Sequence, residues 1–342
     1  MPVSDGFATA SDRRACREAI RVGSRSFYAA SLLLPARVRR SALGLYAFCR
    51  VSDDAVDCEG GPAALTRLRA RLDAAYAGRP PDHPADRAFA DLIRSHQIPR
   101  ALPEALLEGF AWDCEGRRYA DIEALSAYAA RVAGSVGAMM TLMMGVRDAA
   151  TLARACDLGV AMQFTNIARD VGEDARAGRL YLPLNWLEGV GLDPRAFLAA
   201  PAPSPALAQV IARLLDEADR LYARARDGVA RLPRDCRPAI LAAARLYAEI
   251  GHEVARRDFD SITTRARTPG RRKLALIAGA VREAAALTRG RSEPPLAATT
   301  FLVEAVAQHR IVAPPARPSF EARFVRVLEI FERLQRTEQL GR

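Results

Sequence analysis

Two stretches of this chain place carboxylates at intervals that a helix turns into one face. In the first, A-M-Q-F-T-N-I-A-R-D-V-G-E-D-A-R-A-G-R-L-Y-L-P over 161–183, residues Gln163, Asn166, Asp170, Glu173 and Asp174 fall three and four apart. At 3.6 residues per turn they stack along one stripe. The turns before them, with Leu158, Val160, Ala161 and Met162, are apolar enough to be buried. Buried like charges repel unless a cation sits between them. A hard divalent ion takes one or two carboxylates and fills its octahedron with water and substrate phosphates, so the stripe suits a metal-diphosphate site.

The second stretch, L-Y-A-F-C-R-V-S-D-D-A-V-D over 45–57, aligns Tyr46, Arg50, Asp53, Asp54 and Asp57. Asp53 and Asp57 can each offer an oxygen to one metal, and Arg50 can hold a phosphate oxygen in a fork. An exposed, ion-paired helix end would account for one such stripe. Aspartate is a mediocre helix former, so matching offsets on two helices ask for a reason beyond solubility.

Three further groups carry chemistry less specifically. Gly23-Ser24-Arg25-Ser26 before Phe27-Tyr28 reads as a helix kink or cap, or as hydroxyls and an arginine for phosphate. The cluster Arg265, Arg267, Arg271, Arg272 and Lys273 reads as a solvated surface or a phosphate site. V-A-G-S-V-G over 132–137, followed by A-M-M-T-L-M-M-G, is small and apolar. Glycine inside a helix costs about 1 kcal/mol relative to alanine, so Gly134 and Gly137 imply a kink or a close approach, in a channel wall or in tight helix packing.

The elements that must position these residues are helices. Of 342 residues half are apolar, alanine, leucine and arginine dominate, and an all-α chain with a sizeable core follows. Helices are expected over 12–30 with a break at 23–26, from Pro35 onward, over 101–118, from a cap at Asp121 through 145, through the central stripe, and over 205–232 and 237–257. The segment 185–203 reads as irregular, punctuated by proline. The net charge of +10, with Lys273 the sole lysine, favours anionic partners. Diphosphates and anionic lipid qualify. Nucleic acid has no zinc-finger spacing or RNA-binding aromatic motif behind it, and no nucleotide loop appears.

Six cysteines without a C-x-x-C pair fit reduced thiols in the cytoplasm. No signal pattern opens the chain, and the weakly polar run 135–146 is too short to span a bilayer. The expected organisation is a domain over 1–290 and a C-terminal helical extension over 291–342, marked by Pro294-Pro295 and Pro314-Pro315. In the extension, Phe320, Phe324, Val327, Leu328, Phe331 and Leu334 share one helical face flanked by arginines. That face suits core packing or peripheral docking at the inner face of an anionic membrane.

With both acidic stripes in hand, the chain resembles the squalene/phytoene synthase family, bacterial members above all. S-R-S-F-Y (24–28), the two stripes, R-Y (118–119), Y-A-A-R-V-A-G-S-V-G (128–137) and R-A-R-T-P-G-R-R-K-L (265–274) occur in family order. The resemblance implies a single isoprenoid-synthase helical bundle with a central cavity between facing acids. It implies Mg²⁺, with Mn²⁺ as the alternative, on Asp53, Asp57, Asp170 and Asp174, supported by Asp54, Asn166 and Glu173. It places Ser26, Tyr46, Arg50, Gln163, Asn166, Arg169 and Tyr247 near the diphosphates, and Phe27, Tyr128, Ala133, Val136 and Gly137 along the prenyl chain. Arg265 and Lys273 match the later basic motif. Ala168 and Phe164 depart from the usual residues at their positions.

The implied reaction is head-to-head condensation of two geranylgeranyl diphosphates, through a cyclopropylcarbinyl (prephytoene) diphosphate, to phytoene in carotenoid biosynthesis, without NADPH. Metal ions and arginine would neutralise the leaving diphosphate. The runner-up is farnesyl diphosphate condensation to dehydrosqualene, presqualene diphosphate or squalene. A non-catalytic scaffold relative is the alternative of another class, and the retained carboxylates speak against it.

Overall fold

The computed structural model describes residues 6–59, 61–288, 290 and 293–311, without the side chains of residues 57–59 and 62. Among them the chain is helical throughout, with no strand. In order come α1 (Ala10–Gly23), α2 (Arg25–Ser31), α3 (Ala36–Glu59), α4 (Gly61–Tyr76), α5 (Pro84–His96), α6 (Ala101–Cys114) and α7 (Ile122–Ala129). A π turn (Ala130–Gly134) leads into α8 (Ser135–Met143) and α9 (Ala149–Arg176). Then follow α10 (Leu184–Gly189), α11 (Pro194–Ala199), α12 (Pro205–Val229), α13 (Arg237–Ala255), α14 (Gly270–Ala286) and α15 (Thr300–Gln308).

Local chemistry sets most boundaries. The break before Phe27 is a cap: Ser24 leaves helical backbone at φ −151 and its side chain accepts from Phe27 N at 3.3 Å. Helix α6 stops at Cys114, short of the expected 118, because Gly116 turns the chain at φ +60. Asp121 caps α7 as expected, 2.8 Å from Ala124 N. The segment 185–203 is not irregular throughout. Trp186 and Leu187 bury α10, and Asp193 with Pro194 starts α11.

Helix α9 is the centre of the bundle, capped by Asp148 on Thr151 N at 2.9 Å. It is buried on several faces, by Leu152, Val160, Phe164, Ile167 and Val171, and α12 packs along it more extensively than any other helix. Its approach to the π turn and α8 is backbone against backbone. A Cβ on Gly159 would run into the Ala133 carbonyl, and one on Gly137 into the Ala155 carbonyl. Close approach, rather than a kink at the glycine, therefore explains Gly137. The compact unit runs through His309, so the expected boundary at 290 falls inside it, and Leu302, Val303 and Val306 of α15 join the core. The amphipathic segment from Pro318 lies outside the described residues.

Candidate active site

A cavity of about 1420 Å³, counted out to its open mouth, runs beside α9. Thr151, Arg154, Ala155, Leu158, Gly159, Met162, Gln163 and Asn166 line it at intervals of three and four, one continuous helix face. Ala133, Val136 and Gly137 form the adjoining wall, packed directly against α9. The π turn, by its five-residue repeat, rephases α8 against α7. Phe27, Tyr46 and Tyr247 also line the cavity and touch one another, with Phe27 4.7 Å from Tyr247 and 6.4 Å from Tyr46 between ring centroids.

Beyond Asn166, α9 turns from apolar to acidic. Asp170 is held in two forks, by Arg169 at 2.7 and 2.5 Å and by Arg265 at 2.8 and 2.9 Å. Burial opposes ionisation there, but the two guanidiniums outweigh it and hold the carboxyl below its usual range. Arg265 also lies 3.4 Å from Glu173. One turn on, Asp174 lies 3.7 Å from Arg179, and burial with the neighbouring Asp170 charge pushes its carboxyl up to about 7. On α3, Arg50 pairs with Asp54 at 2.7 Å and with Asp53 at 3.7 Å. The Asp57 side chain is outside the described residues.

Tyr128 stands apart from the apolar wall where the sequence put it. Its hydroxyl donates to both oxygens of Asp113 at 2.9 Å, and Tyr181 donates to the same carboxylate at 2.7 Å. Burial pushes Asp113 up to about 6, against the bonds from both tyrosines. Asp113 is within electrostatic range of Asp53, Asp174 and Arg179. Sequence reasoning missed it. Asp113 lies in the last turn of α6 with no acidic neighbour in register, and only the tyrosines of α7 and of the segment after α9 reveal its place. Ser26 and Lys273 are not on the cavity wall; Lys273 lies close enough to Arg25 to feel its charge.

The donor set fits a hard cation. Asn166 Oδ1 is buried without a hydrogen-bond partner, on the cavity wall one turn before Asp170. Asp174 is a buried carboxylate whose ionisation burial and the Asp170 charge oppose. Among the described residues, no three His, Cys, Asp or Glu side chains already converge on one point. Arginines occupy the carboxylates instead.

An all-helical bundle with a long apolar cavity running up to an acid-and-arginine layer defines an isoprenoid-synthase fold. A family model described as squalene/phytoene synthase matches residues 20–274. The phytoene synthase of Rhodobacter capsulatus is 55% identical over 315 residues, covering 89% of this chain and 92% of that protein. That of Cereibacter sphaeroides is 52% identical over 318 residues, covering 87% and 89%. A crystal structure of a dehydrosqualene synthase with a ligand superposes at a TM-score of 0.74 with 29% identity, over 81% of this chain and 98% of that one. The chain belongs to the squalene/phytoene synthase family. Members of this family condense prenyl diphosphates and typically use a divalent metal.

Proposed function

We propose that this chain condenses two geranylgeranyl diphosphates head to head, through a cyclopropylcarbinyl diphosphate, to phytoene and diphosphate. The observation that carries the reading is the length of the apolar wall. From Asn166 down to Thr151 the cavity follows α9 for fifteen residues, or ~22 Å at about 1.5 Å each. An isoprene unit is about as long as one helical turn, roughly 5 Å, so four units fill this wall and three leave it part empty.

Asp53, Asp57, Asp170 and Asp174, with Asn166 and with Asp54 and Glu173 in support, would hold Mg²⁺, or Mn²⁺ in its place. Such an ion supplies Lewis-acid neutralisation of the leaving diphosphate. Arg50, Arg169 and Arg265, already beside the carboxylates, present forks to the phosphate oxygens. Gln163, Ser26 and Lys273 add donors around them. The ring faces of Phe27, Tyr46 and Tyr247 stabilise an allylic cation by their quadrupoles. Ala133, Val136 and Gly137 offer no nucleophile, and the closed wall keeps water from trapping the cation. Proton loss ends the sequence without a reductant.

The purified protein is incubated with Mg²⁺ and either geranylgeranyl or farnesyl diphosphate, with and without NADPH. A C40 triene-centred hydrocarbon from the first, unchanged by NADPH, is expected. A C30 product formed at higher kcat/KM from farnesyl diphosphate overturns the reading.

Peripheral attachment to an anionic membrane at the cytoplasmic face belongs to the same proposal. No described helix is long and apolar enough to cross a membrane. Exposed Leu274 and Val281 share one face of α14 with exposed Arg271 and Arg282, and exposed Val22 and Leu32 lie among Arg21 and Arg25. Apolar side chains rimmed by arginine suit a lipid interface. Leu274→Ser with Val281→Ser is expected to weaken co-sedimentation with phosphatidylglycerol vesicles several-fold; unchanged binding counts against this face.

A further inference from the structure

Glu249 lies in the last two turns of α13 with its side chain 2% exposed, yet it ties down two separate stretches of chain. Arg272, in the first turn of α14, forks it at 2.9 and 3.1 Å, and Arg256, the residue after α13, donates to it at 2.5 Å. His252 of the same helix is 3.6 Å away. Both arginines are half exposed, so the cluster closes from solvent onto a buried acid. Burial opposes ionisation of Glu249, but Arg272 and Arg256 outweigh it and hold the carboxyl below its usual range. Between these two arginines, residues 257–271 form a strap across the acidic end of α9. Gly172 N donates to the Ser261 carbonyl at 3.0 Å, and a Cβ on Gly172 would meet Ile262 Cα. Ile262 and Ala266 are buried, and Arg265 between them reaches Asp170. Arg257 donates to the Arg265 carbonyl at 3.4 Å.

Buried ion clusters add little stability over apolar residues of the same volume, so the packing of α13 on α14 does not by itself call for a carboxylate here. What a carboxylate does, and an apolar side chain cannot, is hold two guanidiniums at once through directed bonds. We propose that Glu249 is a positioning residue for Arg265: it fixes both ends of the strap, and the strap sets the Arg265 guanidinium beside the diphosphate. The inference rests on the reading that Arg265 forks a substrate phosphate. Fixed ends matter because a segment of this length with free ends samples many conformations and must give them up when it binds. With both ends held, that loss is incurred on folding, and the fork meets its phosphate already in place.

The test combines hydrogen exchange of the metal-free full chain with steady-state kinetics on geranylgeranyl diphosphate and Mg²⁺, for wild type, Glu249→Gln, Arg265→Met and the double variant. In Glu249→Gln the amides of 258–268 are expected to exchange at least tenfold faster, while those of 152–164 in α9 keep wild-type rates. A general loss of stability would speed both. The value of kcat/KM is expected to fall at least fivefold in Glu249→Gln, but less than twofold when the same change is made in Arg265→Met, because Glu249 acts through that guanidinium. Exchange of the strap within twofold of wild type overturns the proposal, and so does an equal loss of kcat/KM in both backgrounds. If Glu249→Gln does not fold, Arg272→Gln cuts the same tie from its exposed side and is read in the same two ways. Wild-type kcat/KM in Arg265→Met would instead overturn the phosphate role of Arg265 in the proposed function, a separate result, and exchange alone then decides whether Glu249 holds the strap.

Discussion

Arg265 and Asp170, 95 residues apart in the chain, meet fork to fork at 2.8 and 2.9 Å. The segment after α13 thereby closes onto the acidic stripe of α9, and it does so through a strained turn in which Asp258 and Phe259 both take left-handed backbone, at φ 53 and 60. Arg265 is nearly half exposed, and the more buried Asp170 keeps its fork to Arg169 when Arg265 is lost, so the stability cost stays near the about 0–1 kcal/mol of exposed pairs. Arg265→Met is therefore expected to leave the melting temperature almost unchanged while lowering kcat/KM by roughly 10–100-fold through the lost phosphate fork. A large loss of stability with intact turnover would assign the pair to the fold instead.

Asp53→Asn and Asp170→Asn should each reduce turnover by at least about 10²–10³-fold, the size of effect seen when a transition-state charge partner is removed. Neither should unfold the protein, because both carboxylates face arginines rather than the core. Steady-state kinetics at saturating Mg²⁺ with a thermal melt decide the matter, and near-normal turnover in either variant defeats the metal assignment.

Asp113 and Tyr128 share two contacts at 2.9 Å, so Asp113→Asn and Tyr128→Phe should be non-additive. Each single change is expected to lower kcat, and the double variant to be little worse than the poorer single one. Full additivity in the cycle would separate the two residues' roles.

The pH dependence follows from the raised acids. Asp174 and Asp113 titrate near 7 and 6 in the folded chain, against about 3.9 for a free aspartate. The folded state thus holds protons that the unfolded chain has released, and the stability they contribute is complete below about pH 4 and lost as pH rises through 6 and 7. Asp170, held low, acts in the opposite direction only below that window. The metal-free melting temperature should therefore fall between pH 5 and 8, and stabilisation by added Mg²⁺, which needs ionised Asp174, should grow over the same range. Asp174→Asn should flatten both curves, and differential scanning fluorimetry reads them.

Gly159→Ala should cost about 2 kcal/mol or more, since the new Cβ meets a carbonyl that belongs to a packed helix. A drop in melting temperature of at least about 4 °C is expected. An unchanged melt would mean that the π turn and α9 can separate freely.

Much of this was legible in the residues themselves. Helical spacing alone put Gln163, Asn166 and Asp170 on one face and Tyr46, Arg50 and Asp53 on another, because a helix repeat is a local property that each stretch carries with it. The caps at Ser24 and Asp121 were readable for the same reason. Small, apolar 132–137 announced a close approach without saying to what. Only the packed bundle decided that the partner was α9, that a π turn rephased α7 against α8, and that Tyr128 reached Asp113 rather than the apolar wall. The ion network of Arg154 and Asp157 was invisible as well, since Arg224 and the Pro294 carbonyl that complete it come from 70 and 140 residues beyond Arg154. Spacing within a helix fixes which side chains share a face; which faces meet, and how deep a cavity they enclose, depends on contacts between distant segments that no local pattern records.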